Sequence, residues 1–532
     1  MTGFGAARGI QPVLALLALL GTIKGDAAPT DYAAAAVQYT DQSSVRNSAT
    51  DNLQINWNNF ASLAANAKAE GAQIIVFPEA VLWSIAFKSV NPRDTIRNYG
   101  ETLPSNSQII EDNLKMVPCE NKGGLFEASP SVRNASCIAR AHNIAVVYNT
   151  VDVQSCNPKN DPDCPKDGRY QFNTDVALDT DGALLAVYHK VHIFGTSPAL
   201  NEPRQPDVVS FETSFGVIFG LFICFDIEFM SPSMQLIARG IRDFAYSTSW
   251  VNQPPILTAQ MVQQAWSRKY SSNLIAANNG VSFVKSGGGI YSSGEVLAEF
   301  FNSTGTNVDR TLIASLPKTP PSSMKFPVLA SPLLSWESGA PPTSHVSANG
   351  TANGTVCRVT ESLLAPMACS VFSGVGRHLV QVTSKSGLHC SLDARVSRAD
   401  SLFVLGALVT TGHFPGTPDP LAYELCSVFR CVRLAGAASP TRSPAELECA
   451  PTFEAGGAIF SDLELTGSFS SSSRLLSTIA VNDAQILQPS AFNTTRGGMV
   501  AKGGELSKHP FYSAGILGLL PSDNLQTTMR KT

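Results

Sequence analysis

Residues 73–79 read QIIVFPE. Gln73–Phe77 is apolar and rich in β-branched residues, which suits a strand buried on both faces. Pro78 stops it, because proline cannot donate to a ladder. Glu79 then stands just past the strand's end. Two further stretches repeat the arrangement. Leu184–Lys190 reads LLAVYHK and ends on Lys190. Gly220–Phe229 reads GLFICFDIEF, where an apolar strand over Val217–Cys224 delivers Cys224 ahead of Phe225 and Asp226. Open α/β sheets gather ligand contacts where strands stop.

Helical patterns lie between these strands. Asn52–Glu70 places Leu53, Ile55, Trp57, Phe60, Leu63 and Ala64 close to an i, i+3, i+4 stripe. Gly71 ends it as a C-cap glycine would. Ala33–Val37 and Ile144–Tyr148 read as strands, with a helix around Ser136–His142 before the latter. Asp175–Leu178 and Leu184–His189 read as a hairpin around Asp179-Thr180-Asp181-Gly182. Phe244–Ser247 and Leu274–Asn278 flank a helix that includes Ala259–Lys269. Alternating βα order over about residues 33–316 implies a layered α/β domain. Prolines then cluster from Pro317 to Pro342, marking a linker or an extended arm. Beyond it, six cysteines and short runs such as Leu402–Leu408 and Ala458–Leu463 point to a smaller, β-rich, disulfide-stapled domain.

The expected division is a signal peptide over 1–27, a catalytic domain over 28–318, a Pro-rich linker over 319–356, a β-rich domain over 357–520 and a tail over 521–532. Arg8, the short apolar run Val13–Leu20 and the small residues Gly25, Ala27 and Ala28 form the pattern of a cleaved secretory signal. Asn-X-Ser/Thr acceptors begin at Asn134, Asn302, Asn349, Asn353 and Asn493, which fits a secreted, extracellular glycoprotein. No later run approaches the roughly 18 apolar residues of a membrane span. The stretch Tyr512–Leu520 is followed by polar residues, the reverse of a lipid-anchor signal. The formal net charge of −4 argues against a nucleic-acid partner. Charged residues are 15% of the 532, well below the roughly 25% usual in soluble domains, so glycans and hydroxyls would supply surface hydration.

A carboxylate, an ammonium and a thiol can divide one reaction. The carboxylate takes the thiol proton and later returns it to a leaving amine. A nearby cation favours the thiolate. Lys190 and the backbone N–H of Phe225 can hold the oxyanion of a tetrahedral intermediate. The expected course is an acyl-thioester hydrolysed by water, acting on a small-molecule amide with no cofactor.

Glu79 in FPE, Lys190 in YHKVHIFG and Cys224 in GLFICFDIEF resemble the Glu-Lys-Cys triad of the nitrilase, or carbon–nitrogen hydrolase, superfamily. Cys156–Asp175, Thr248-Ser249-Trp250, the glycine-rich Ser286–Ala298 and the pair Cys426–Cys431 in ELCSVFRC are similar to the vanin and biotinidase branch. The resemblance spans about residues 30–510. It implies a four-layer αββα sandwich with a β-rich companion domain, and a pantetheinase-like hydrolysis of pantetheine to pantothenate and cysteamine. Hydrolysis of biotinyl amides is the close alternative. It also implies Cys119–Cys137 and Cys156–Cys164 disulfides, Cys224 as the free thiol, and Trp250 near the site. Family members often carry a further glutamate after the lysine. Here the loop GTSPALNEPR offers only Glu202.

Blander roles compete with these. Cys224 in FIC can be an apolar core residue or half of a disulfide. Glu79 can be a helix-start acid, Lys190 a surface lysine, and Trp250 core. His189 and His192 flank Lys190 and raise a Cys-His peptidase as a third chemistry. Alternation sends residues 189 and 190 to opposite faces, so His189 is expected to be structural, while His192 is a candidate pocket residue. Cys357, Cys369, Cys390, Cys426, Cys431 and Cys449 allow many connectivities, and spacing does not choose among them. None of the spacings demands a metal. A catalytically idle secreted glycoprotein of the same fold is the reading from another functional class.

Overall fold

The computed structural model describes residues 30–320 apart from 112–115, 121–123, 125, 196–198, 254–255, 283 and 303–304. It also describes residues 356–359, 366–400, 402–410, 423–433, 446–450, 457–470, 474–481, 486–487, 491–493, 497–502, 506, 508 and 511–519. The expected signal peptide, most of the Pro-rich segment and the tail lie outside these residues.

Strand β1 (Asp31–Tyr39) runs through the junction of the first domain. Its alanines alternate: Ala34 and Ala36 face one core cluster, Ala35 and Val37 another. Period-two alternation splits a doubly buried strand between two layers in this way. On one side β1 pairs in parallel with β2 (Ile74–Val76), which leads to β3 (Ala145–Ser155), β4 (Arg169–Leu178) and β5 (Leu184–His189). The second half-sheet contains β6 (Ser210–Glu212), β7 (Ile218–Leu221), β8 (Asp243–Ser247), β9 (Asn273–Asn279), β10 (Gly288–Ser292) and β11 (Glu295–Phe300). β12 (Arg310–Pro317) returns antiparallel to β1. Each half has parallel strands at its centre and antiparallel strands at its flanks. They join where Gln38 and Tyr39 pair with Asn278 and Asn279.

The two half-sheets face each other through Ala34, Ile74, Val76 and Val147 on one side and Phe219, Leu221 and Ala245 on the other. Helices cover the outsides. The helix α1 (Ala49–Ala69) buries Trp57, Phe60, Ala64 and Ala67, spaced three and four apart. Its N-cap Ser48 accepts from Asp51 N, so it starts three residues before the expected Asn52. Gly71, at φ 94°, closes its end. Three helices follow: α2 (Pro92–Ile96), α3 (Asn106–Glu111) and α4 (Pro130–His142). Of these, α4 packs beside α1 on the first half-sheet. On the other outside lie α5 (Ser233–Ala238) and α6 (Ala259–Tyr270), whose Trp266 packs on Phe222 and Phe244. The layers are therefore αββα. The expected hairpin is present as β4–β5, with Leu178 opposite Leu184.

One expected element is shorter. The strand drawn over Val217–Cys224 ends at Leu221, and Cys224 opens a 3₁₀ turn, Cys224–Glu228. Asp226 takes the Ile223 N–H onto its own carboxylate, which pulls the chain out of the ladder before it reaches the cysteine.

The second domain is β-rich, as read from its Gly, Ser and Cys texture. An eight-stranded and a five-stranded sheet enclose a core that includes Phe403, Phe460, Leu392 and Ile516. Cys390–Cys426 ties the two sheets together, and Cys357–Cys369 and Cys431–Cys449 staple neighbouring strands. In the first domain the disulfides are Cys119–Cys137 and Cys156–Cys164. Five bridges account for ten of the eleven cysteines and suit an oxidising compartment. No helix among the described residues is long and apolar enough to cross a membrane. The domains meet where α6 lies under the strand Arg474–Val481, with Arg268 Nη1 donating to Ser477 O at 3.1 Å.

Asn134 is half-buried on α4. Asn302 is buried, and its amide donates to Thr306 O, so a glycan there requires this turn to open. Asn493 sits in the strand Ala491–Asn493. Asn349 and Asn353 lie outside the described residues.

Candidate active site

Glu79, Lys190 and Cys224 come together at one end of the sandwich, all buried. Lys190 Nζ donates to Glu79 Oε1 at 2.6 Å. Asn173 Nδ2 donates to the same oxygen at 2.7 Å, and Ser249 N to Oε2 at 2.9 Å. Three donors thus fix both carboxylate oxygens. Asn173 is itself held by Asn149, whose Nδ2 reaches Asn173 Oδ1 (2.7 Å) and Asp175 Oδ1 (2.9 Å). Asn149 Oδ1 accepts from Ala80 N and Trp83 Nε1. The register of β3 on β4 sets Asn149 opposite Asp175, and alternation puts Asn173 on the same face.

Cys224 is the free cysteine. Its backbone sits at φ 47°, a left-handed conformation uncommon for a residue with a side chain. Ala80, beside Glu79, sits at φ 66°. Such strain costs on the order of 1–3 kcal/mol and concentrates at functional sites. Tyr246 donates to Cys224 O at 2.8 Å. Asp226 holds the turn from behind: Oδ2 accepts from Tyr188 Oη (2.7 Å) and Ile223 N (2.9 Å), and Oδ1 accepts from His192 N (2.8 Å). One carboxylate therefore joins β5, the loop after Lys190 and the turn bearing Cys224.

Burial pushes the Cys224 thiol up to about 12, with Glu79 adding to the shift and Lys190 opposing it. Lys190 on its own favours the thiolate. Here desolvation and the carboxylate outweigh it, so the thiol rests protonated. Burial works against the charge of Lys190, but Glu79, Cys224 and Asp226 outweigh it and raise its pKa. Burial lifts Asp175 to about 8, with Glu79 adding and Asn149 opposing.

A pocket of about 330 Å³, partly open to solvent, reaches the thiol. Phe194, Phe225, Trp250, Val251 and Leu257 make its apolar wall, while Glu228, Ser249 and Gln253 supply polar groups. Trp250 lines it, with its indole N–H donating to Leu257 O. His192 does not: its ring stacks on Phe229 at 3.7 Å and Nε2 lies 3.1 Å from Ser231 O. His189 is tied between Asp152 and Asp207. Burial opposes its charge, but the two carboxylates win and raise it to about 9. Glu202 is exposed. The carboxylates that act on Lys190, besides Glu79, are Asp175 and Asp226. Among the described residues no group of His, Cys, Asp and Glu is arranged to hold a metal.

Sequence reasoning missed Asn149, Asn173 and Asp175. Only the register of β3 on β4 brings them to Glu79.

Residues 33–270 match the family described as carbon–nitrogen hydrolase. A pantetheinase of Bos taurus is 30% identical over 368 residues, 69% of this chain and 66% of the relative. A biotinidase of Takifugu rubripes is 35% identical over 275 residues, 51% of this chain and 52% of the relative. The matches thus span less than two thirds of either relative's length. A solved amidase from Nesterenkonia sp. superposes with a TM-score of 0.37 at 20% identity, covering 54% of this chain and 90% of the other.

Proposed function

We propose that this chain, whose residues 33–270 belong to the carbon–nitrogen hydrolase family, is a secreted amidohydrolase working through an acyl-thioester on Cys224. The observation that carries the reading is the buried Lys190–Glu79 pair at 2.6 Å beside the one free cysteine. Glu79 takes the thiol proton as sulfur attacks the amide carbon. The negative charge passes from sulfur to the carbonyl oxygen, which Lys190 Nζ and Phe225 N–H receive. Collapse of the tetrahedral intermediate breaks the C–N bond, and Glu79 gives its proton to the departing amine. Water then attacks the thioester with Glu79 again as base. This releases the acid and restores the thiol. Because the thiol rests protonated, base and nucleophile act in one step rather than through a standing thiolate.

The names of the relatives support pantetheine and biotinyl amides as the first substrates to offer. The intact triad and the pocket opening on the thiol count against a catalytically idle glycoprotein. The placement of His189 and His192 counts against a Cys-His peptidase. The test is amine release from both substrates, with intact-mass detection of an acyl group on Cys224. Cys224→Ala is expected to lose at least about 10³-fold in kcat, and Glu79→Gln about 10²–10⁴-fold. Wild-type rates in either variant would sink the mechanism.

A further inference from the structure

Glu79 does not offer two equal oxygens. Oε1 accepts from Lys190 Nζ at 2.6 Å and from Asn173 Nδ2 at 2.7 Å, while Oε2 accepts from Ser249 N at 2.9 Å. A carboxylate oxygen has two lone pairs, so the two donors fill Oε1, and Oε2 keeps room for a proton. Ser249 lines the pocket together with Cys224, and its N–H opposes the burial that raises the Cys224 thiol. The oxygen with room is therefore the one on the sulfur's side.

A chain of forced choices turns Asn173 this way. Ala80 N and Trp83 Nε1 can only donate, and both meet Asn149 Oδ1, at 2.8 and 3.0 Å. Asn149 must then present Nδ2 to Asn173 and Asp175. Asn173 accepts on Oδ1, which leaves its own Nδ2 facing Glu79. Ala80 follows Glu79 directly, so the chain of bonds begins and ends at the same turn. Glu79, Asn149 and Asn173 are all buried, where water does not compete for these donors. The main chain of Asn173 is engaged as well, its O accepting from Lys190 N at 2.8 Å. One residue thus holds the side chain of the base and the backbone of the lysine.

Resting on the amidohydrolase reading, we propose that Asn173 is a positioning residue: by filling Oε1 together with Lys190, it makes Oε2 the oxygen that exchanges protons with Cys224, the leaving amine and water. In acylation the S–H bond breaks as S–C and Oε2–H form, and Oε2 then passes that proton to the amine nitrogen as C–N breaks. In hydrolysis Oε2 takes a proton from water as O–C forms and returns it to sulfur as S–C breaks. Lys190 Nζ carries three protons, so one N–H stays on Oε1 while another receives the carbonyl oxygen.

Asn173→Leu keeps much of the side chain's size and removes the donor to Oε1, while the backbone O still serves Lys190. Its kcat is expected to fall about 10²-fold, the cost of a misplaced catalytic group, with KM changed by less than about threefold. The second readout needs no amide substrate: alkylation of Cys224 by iodoacetamide also requires the thiol proton to leave, and is expected to slow about tenfold. A merely structural role moves this rate the other way, because a loosened fold exposes the buried thiol. Low kcat with faster alkylation therefore overturns the proposal, and so do kcat and alkylation both within about twofold of wild type. If Asn173→Leu does not fold, Asn173→Ala is expected to show the same two losses; failure of both to fold makes Asn173 structural and overturns the proposal too. Failure of the underlying reading looks different: a wild type that turns over no amide and forms no acyl adduct overturns the amidohydrolase, while the alkylation rates still report whether Asn173 sets the base.

Discussion

Asp175 carries the residue-scale question of how a second carboxyl sits behind the base. Its pKa is raised by burial to about 8, against about 3.9 when unfolded. The unfolded chain therefore releases the proton near pH 4, while the folded chain keeps it until near pH 8. Stability from this group is fully present below pH 4 and is lost progressively as pH rises to 8. Asp175→Asn removes the titration. The variant is expected to melt higher than wild type, by a margin that widens from pH 5 to pH 8 and reaches on the order of a few kcal/mol. Melting curves at four pH values check this; a margin independent of pH would show that Asp175 titrates normally. The meeting of Glu79, Lys190 and Cys224 was legible because each follows an apolar strand in a distinctive local run. Asn149, Asn173 and Asp175 were not, because they meet Glu79 only through the register of two strands. Register between distant segments is not written in either one.

At the scale of elements, the 3₁₀ turn at Cys224–Glu228 does more than end a strand. Asp226 accepts from β5, from the loop after Lys190 and from Ile223, so the positions of ammonium and thiol are set by one side chain. In Asp226→Asn the amide nitrogen must face at least one of these donors, leaving a buried N–H or O–H unsatisfied at about 1–3 kcal/mol. The variant is expected to lower the melting temperature and to cut kcat at least tenfold, with KM less affected. Full kcat in a folded variant would show that the turn holds without it. Helix α1 and the turn of the β4–β5 hairpin were legible because their caps and turn residues are local, but β4 begins at Arg169, six residues before the expected Asp175. The end of β7 was not legible: its apolar run continues to Cys224, and what stops the strand is a side-chain acceptor two residues further on. The two-sheet arrangement of the second domain was also beyond reach, since short strands with open cysteine pairings fit many sandwiches.

For the whole molecule, the decisive contact is the one between domains. Nearly all of α6 is buried, because the second half-sheet covers one side and the strand Arg474–Val481 the other. Beside it, Ile256 packs on the strand Phe511–Leu519 at Gly515. A Cβ at Gly515 would stand 2.9 Å from Ile256 Cγ2 and 3.1 Å from Cδ1, so any side chain there must push Ile256 aside. Ile256 is next to Leu257, which lines the pocket, accepts from the Trp250 indole and exchanges backbone hydrogen bonds with Gln253. Displacing Ile256 therefore moves the pocket wall, while Glu79, Lys190 and Cys224 are anchored elsewhere. Gly515→Val is expected to cost about 1–3 kcal/mol of stability by overpacking and to raise KM severalfold with a smaller change in kcat. Steady-state kinetics and a melting curve on the full chain measure both. If stability falls while KM stays at its wild-type value, the second domain serves only as a cover. If KM rises as expected, the companion domain belongs to the substrate site.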